Sequence, residues 1–156
     1  MRRCVVALLL AAGLAANAAV VRPSPNFSWE GASKTSLRSM RGQPVVLIIS
    51  RSARGRAFKK QIRNLEEIYQ QFASRKVVFV AAIQEGEPMV RSNIPFAIAS
   101  DAGRVAGEFG VEGKFSIIII GKDGNIDLQT DRVIPASRVR EVILNSFENQ
   151  AAERKN

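Results

Sequence analysis

The chain contains no histidine, and its one cysteine is the fourth of 156 residues. Lack of histidine removes the usual general base and the commonest metal ligand, so Ser-His-Asp and Cys-His catalysis and a typical zinc site are excluded. Aromatic residues are few, at 6% with one Trp and one Tyr, which leaves little for a base-stacking platform. Phosphate-loop, dinucleotide and nucleophile-elbow spacings are missing as well. Gly113-Lys114 and Gly121-Lys122 both lack the glycine five positions earlier that a phosphate loop requires. Asp101, Asp123, Asp127 and Asp131 do not fall at calcium-loop spacing. No cofactor and no metal are expected.

The first eighteen residues differ from the rest. Arg2 and Arg3 precede an uncharged apolar run from Val5 to Leu14, and Ala16-Asn17-Ala18 follows. This is the pattern of a signal peptide, 1–18, removed after Ala18. The run is too short for the roughly 20 apolar residues of a membrane-spanning helix, and no later segment supplies one. An uncleaved N-terminal anchor is the alternative. A lipoprotein signal would place its cysteine after the apolar run, whereas Cys4 stands before it. Removal of the leader takes Arg2, Arg3 and Cys4, so the formal charge falls from +9 by two, to +7, and the mature chain has no thiol. Thiol redox chemistry and disulfides are thereby excluded from it. A periplasmic or extracellular location follows.

The remainder alternates strands and helices. Residues 19–26, with Pro23 and Pro25, read as a linker; a domain occupies 27–149, and 150–156 is a polar tail. A short strand is predicted over 27–29, a turn at Gly31 and one helical turn over 36–40. The β-branched runs 45–49 and 77–83 suit strands covered on both faces. Between them Phe58, Ile62, Leu65, Tyr69 and Phe72 recur at helical spacing, which makes a strand-helix-strand unit with parallel pairing. Ser100 or Asp101 can cap a helix carrying Val105 and Phe109, ended by Gly110. Residues 116–120 and 126–128 form a hairpin through Lys122-Asp123-Gly124, and Pro135 starts a last helix with Val139, Val142, Ile143 and Phe147 on one face. The expected class is α/β, a central mixed sheet flanked by helices on both faces.

Several of these segments, taken in order, resemble the exported thioredoxin-like proteins of the TlpA and ResA type, within the redoxin and AhpC-TSA-like group. Ser36-Leu37-Arg38-Ser39-Met40-Arg41-Gly42-Gln43-Pro44-Val45-Val46-Leu47 is similar to the family's "SLxxLRGKPVVL". Leu65-Glu66-Glu67-Ile68-Tyr69, Val77 to Val80, Ile94-Pro95-Phe96 and Phe109-Gly110-Val111-Glu112-Gly113 continue it, and residues 117–126 resemble the "TFLIDKDGKI" hairpin. The resemblance implies a thioredoxin-like fold. It also places Arg54-Gly55-Arg56-Ala57 on the Cys-x-x-Cys motif, so Arg54 and Ala57 hold the two cysteine positions and Phe115 that of the cis-proline. A cis bond before a non-proline residue costs about 2.5–4 kcal/mol, so a trans peptide is expected there.

The replaced site is basic. Arg51, Arg54 and Arg56 surround the expected helix start, and Arg56, Lys59, Lys60 and Arg63 share the helix face opposite Phe58, Ile62 and Leu65. One reading is an anion site formed by Arg51, Arg54, Arg56, Lys59, Lys60 and Arg63; the other is a solvated face on which Arg63 pairs with Glu66 and Glu67. Ser52 reads as a polar cap and Trp29 as a packing residue. Three functional classes follow. The first is a redox-inactive binding module with an acidic protein or small anion as partner. The second is the family's thiol-disulfide oxidoreductase. The third, suggested by a pI near 10.6, is binding of polyanions or nucleic acid, for which no motif is present.

Protein recovered from the exporting host is expected to start at Ala19. Intact-mass measurement checks this, and a chain that retains Cys4 contradicts it.

Overall fold

The computed structural model describes residues 21–30 and 35–153. The leader 1–18 with Cys4, the turn expected at Gly31 and the last three residues of the tail lie outside the described residues. Seven strands form one mixed sheet with three helices. In chain order these are β1 Ser28–Glu30, β2 Thr35–Ser36, β3 Val45–Ser50, α1 Arg56–Phe72, β4 Val78–Ile83, β5 Ala97–Ala99, α2 Ala102–Glu108, β6 Phe115–Ile120, β7 Ile126–Thr130 and α3 Ala136–Glu153. A single 3-10 turn, Leu37–Met40, lies between β2 and β3.

Strand order is β2-β1-β5-β4-β3-β6-β7. β3 pairs in parallel with β4, Leu47 opposite Val80, and antiparallel with β6, Leu47 opposite Ile118. All six residues of β3 are buried, and so are all six of β6. Continuous apolar runs of this kind arise because both faces of the sheet are covered. On one face Val46, Ile48, Phe79, Ala81, Ile117 and Ile119 pack beneath α1 and α3, which supply Phe58, Ile62, Leu65, Phe72, Val139 and Ile143. On the other, Val45, Leu47, Ile49, Val80, Ile118 and Ile120 meet Val105 and Ala106 of α2 together with Phe27, Trp29, Leu37 and Phe109. Trp29 is thus a packing residue, its ring 5.5 Å from that of Phe27. Each fully buried aliphatic side chain of this kind contributes about 1.5–3 kcal/mol.

Differences from the sequence reading are local. β2 and β5 were not anticipated, being only two and three residues long. α3 continues to Glu153, into the segment assigned to a polar tail, because Ala151 and Ala152 are strong helix formers. Part of the expected linker is held in place. Ile126 N donates to Arg22 O at 2.8 Å, Ser24 N donates to Gly124 O at 3.0 Å, and Arg38 N donates to Asn26 Oδ1 at 3.0 Å. Asp101 rather than Ser100 caps α2, accepting from Arg104 N at 3.0 Å. Gly110 follows α2 at φ +65°, a left-handed conformation that favours glycine.

One buried residue breaks the apolar stripe of α1. Gln61 is fully buried, and its amide forms a two-way clamp on the backbone before α3: Nε2 donates to Ile134 O at 3.2 Å and Oε1 accepts from Ile134 N at 2.9 Å. Asn64 Nδ2 also donates to Ile134 O, at 2.8 Å. The carbonyl therefore has two donors, whereas the N–H depends on Gln61 alone. The β6–β7 hairpin has a second polar cluster. A side chain on Gly121 would lie 2.6 Å from Asp127 Oδ2 and 2.9 Å from Ser146 Oγ, so these side chains would have to move to admit one. The rest of Asp127 is exposed, but its carboxylate sits back against this backbone. Partial burial raises its pKa above the ordinary value of 3.8, the neighbouring charge of Asp123 raises it further, and a hydrogen bond from Ser146 works the other way.

Two tests follow. Gln61→Ala is expected to destabilise the fold by about 1–3 kcal/mol, the cost of an unsatisfied buried group, read as a lower urea midpoint. An unchanged midpoint would contradict the clamp. Because the folded state holds the Asp127 proton more tightly than the unfolded state, stability falls as pH rises from 3.8 through the raised pKa, and the ionised group stays unfavourable above it. Asp127→Asn, which can still accept from Ser146, should therefore raise the melting temperature at pH 7, with the gain shrinking as pH falls through the raised pKa towards 3.8.

Candidate functional site

The site lies where the parallel strands β3 and β4 end. Loops that follow parallel strands emerge on one side of a sheet, and ligands of open α/β folds gather there. Ser50, the last residue of β3, is buried, and its Oγ donates to Ser52 O at 2.9 Å. Arg51 N donates to Lys114 O at 2.9 Å, and Glu85 N donates to Arg51 O at 2.8 Å, so the loops after β3 and β4 and the lead-in to β6 are joined through backbone. Ser52 Oγ accepts from Arg54 N at 3.2 Å, which makes it a turn-forming residue outside the helix. Gly55 precedes α1, and no side chain caps it.

The structure separates the six basic residues. Arg54, Lys59 and Arg63 line a groove of about 880 Å³ between α1 and the segment after β4. Arg51 turns to Glu85, with 3.6 Å between nitrogen and oxygen. Arg56 and Lys60 are exposed on α1 and do not line the groove. Of the positions that the resemblance assigns to the active site, Arg54 is exposed, whereas Ala57 is half-buried against the core beneath α1. Phe115 is buried in that same core and also lines a second hollow of about 550 Å³ with Arg22, Ser116 and Asp131. No peptide bond among the described residues is cis, so the bond before Phe115 is trans.

The groove has a floor of Phe58 and Ile62, with Met89 and charged residues around it. Arg63 forms no ion pair with Glu66 or Glu67 among the described residues. Glu66 instead accepts from Ser92 Oγ at 2.7 Å and from Asn93 N at 3.4 Å, fixing the far wall to α1. That wall, with Glu85, Glu87, Met89 and Arg91, was missed in the sequence. The cue was present: Gln84-Glu85-Gly86-Glu87-Pro88 directly follows a strand parallel to β3, so it had to share the end of the sheet with Arg54. Among the described residues no group of three or more His, Cys, Asp or Glu could hold a metal ion, and no helix is long and apolar enough to cross a membrane.

A model of the family described as a domain of unknown function, DUF4174, matches residues 36–144, well over half of the chain. The chain belongs to the DUF4174 family. No curated protein matches it in sequence. The DUF4174 chain is similar in structure to a thioredoxin-family thiol:disulfide interchange protein from Chlorobium tepidum TLS, with a TM-score of 0.66 at 16% identity over 82% of this chain and 97% of that one. It is similar to thioredoxin peroxidase I of Plasmodium yoelii, with a TM-score of 0.63 at 16% identity, 87% of this chain and 93% of the other being covered. The exposed lipoprotein thioredoxin of Streptococcus pneumoniae gives a TM-score of 0.56 at 14% identity, over 75% and 96% of the two chains. At such identities the likeness establishes the thioredoxin-like fold of this DUF4174 domain.

Proposed function

We propose that this chain is an exported, redox-inactive binding module on a thioredoxin-like scaffold, most similar to the TlpA and ResA type, whose groove beside α1 receives a negatively charged partner. The observation that carries the reading is the residue content of the site. At the positions that the family resemblance assigns to a thiol pair stand Arg54 and Ala57, and residues 5–156 contain no cysteine. Disulfide exchange needs a thiolate, and an arginine side chain neither gives up its proton nor forms a covalent bond to sulfur. Export rests on the leader pattern of residues 1–18.

The competing reading, thiol-disulfide exchange, draws on what the structural neighbours are described as, and it fails for want of a nucleophile. General polyanion binding draws only on net charge, which speaks to association and not to a site. The groove favours a directed interaction, because cations line it beside an apolar floor.

Purified protein lacking residues 1–18 is expected to leave the rate of insulin disulfide reduction by dithiothreitol unchanged. A parallel pull-down from the exported fraction should retain partners at low salt, lose them at high salt, and lose them when Lys59→Glu and Arg63→Glu are combined, since exposed charges are screened over about 8 Å at physiological ionic strength. Accelerated insulin reduction, or identical capture by the charge-reversed protein, would overturn the reading.

A further inference from the structure

We infer that the groove is built for an extended acidic peptide segment with one large apolar side chain at its centre; this rests on the reading of the chain as a binding module and names its ligand. The charge inventory of the groove comes first. Seven charged side chains line it: Arg54, Lys59, Arg63 and Arg91, and Glu66, Glu85 and Glu87. Two of the three carboxylates are already engaged, Glu66 by Ser92 and Asn93 and Glu85 by Arg51. None of the four cations lining the groove has a carboxylate within ion-pair distance among the described residues. Glu87 is the one open acid, and it belongs to the wall opposite α1. The unpaired positive charge therefore lies mainly along α1, where Lys59 and Arg63 are one helical turn apart on the same face.

The floor supplies the second requirement. Phe58 and Ile62 are 3% and 5% exposed, so they form a closed base, but Met89, which lines the groove on the far wall, is 56% exposed. Methionine is unbranched and adapts its shape to a partner, which is why it recurs on surfaces that bind varied peptides. A simple anion would satisfy Lys59 and Arg63 but leave Met89 bare. A purely apolar ligand would cover Met89 and leave the cations unanswered. A segment with acids flanking a leucine, methionine or phenylalanine answers both, and about 880 Å³ gives room for several residues where a single phosphate would rattle.

The two components divide the work. Exposed ion pairs add little affinity each and mainly steer the approach, so most of the affinity comes from covering Met89. The apolar residue of the ligand is accordingly the discriminating element, and the acids set where it docks.

The test is calorimetric titration of the leaderless chain with three capped peptides: Glu-Glu-Leu-Glu-Glu, its alanine-centred form Glu-Glu-Ala-Glu-Glu, and the basic Lys-Lys-Leu-Lys-Lys. The first should bind; the second should bind about tenfold more weakly, the effect of losing most of a leucine side chain from an apolar contact; the third should not bind. Combining Lys59→Glu with Arg63→Glu should weaken the first peptide by about tenfold or more, with circular dichroism unchanged because both residues are exposed. Should charge reversal unfold the chain, Lys59→Ala with Arg63→Ala replaces it. Equal binding of the leucine and alanine peptides would reduce the groove to a charged surface and overturn the inference, as would equal binding by wild type and variant or no binding of the first peptide. If the peptides fail while the pull-down still depends on Lys59 and Arg63, the ligand class is wrong and the binding module stands. Acceleration of insulin reduction would remove the module itself.

Discussion

Everything in this molecule depends on the double-sided burial of β3. A strand with both neighbours paired and no side chain in water can persist only if each face has its own cover, and the chain supplies α1 and α3 on one side and α2 with Phe27, Trp29 and Leu37 on the other. That requirement fixes where the functional loops can be. Residues 51–55 must leave the sheet where β3 ends, between a helix they start and the segment that follows β4. The groove is a by-product of covering a sheet, and its floor is core: Phe58 and Ile62 belong to the same cluster as Val46 and Ile48. Its floor is thus part of the core, while its chemistry is set by the few side chains that project above.

Polar groups inside this frame are few and fully committed. Among the described residues no buried side-chain nitrogen or oxygen lacks a partner. Gln61 shows how this is arranged: it replaces an apolar residue on the inner face of α1 so that one amide can both donate to and accept from the backbone at Ile134. A loop that crosses the core near α1 would otherwise bury a bare N–H, at a cost that a hydrophobic side chain could not offset.

The long apolar strands and the inner face of α1 were legible because each has one dominant period. Residues 45–49 lie within β3, and Phe58, Ile62, Leu65 and Phe72 are buried as their spacing predicts. β2 and β5 were not, since strands of two or three residues leave no periodicity and are made by their neighbours: β5 exists because Val80 and Ala81 present an open edge to Ala97 and Ile98. Gln61 was invisible for a related reason, its role lying in a residue 73 positions away. At the site, the basic residues could be counted from sequence, yet their grouping could not. Arg56 and Arg54 are two residues apart and part company at the helix start, one to solvent and one to the groove.

The way the loop after β3 is fastened has a consequence for the side chains it carries. Arg51 N and Glu85 N bond to main-chain oxygens and Ser50 Oγ donates to Ser52 O, so the path of the loop is held by backbone groups together with the Ser50 hydroxyl. The exposed side chains at 51 and 54 contribute little to holding that path. The side chains at 51 and 54 can therefore be exchanged at little cost to folding. A loop fastened in this way can change the side chains it shows to solvent at 51 and 54 and remain the same object to the folding chain.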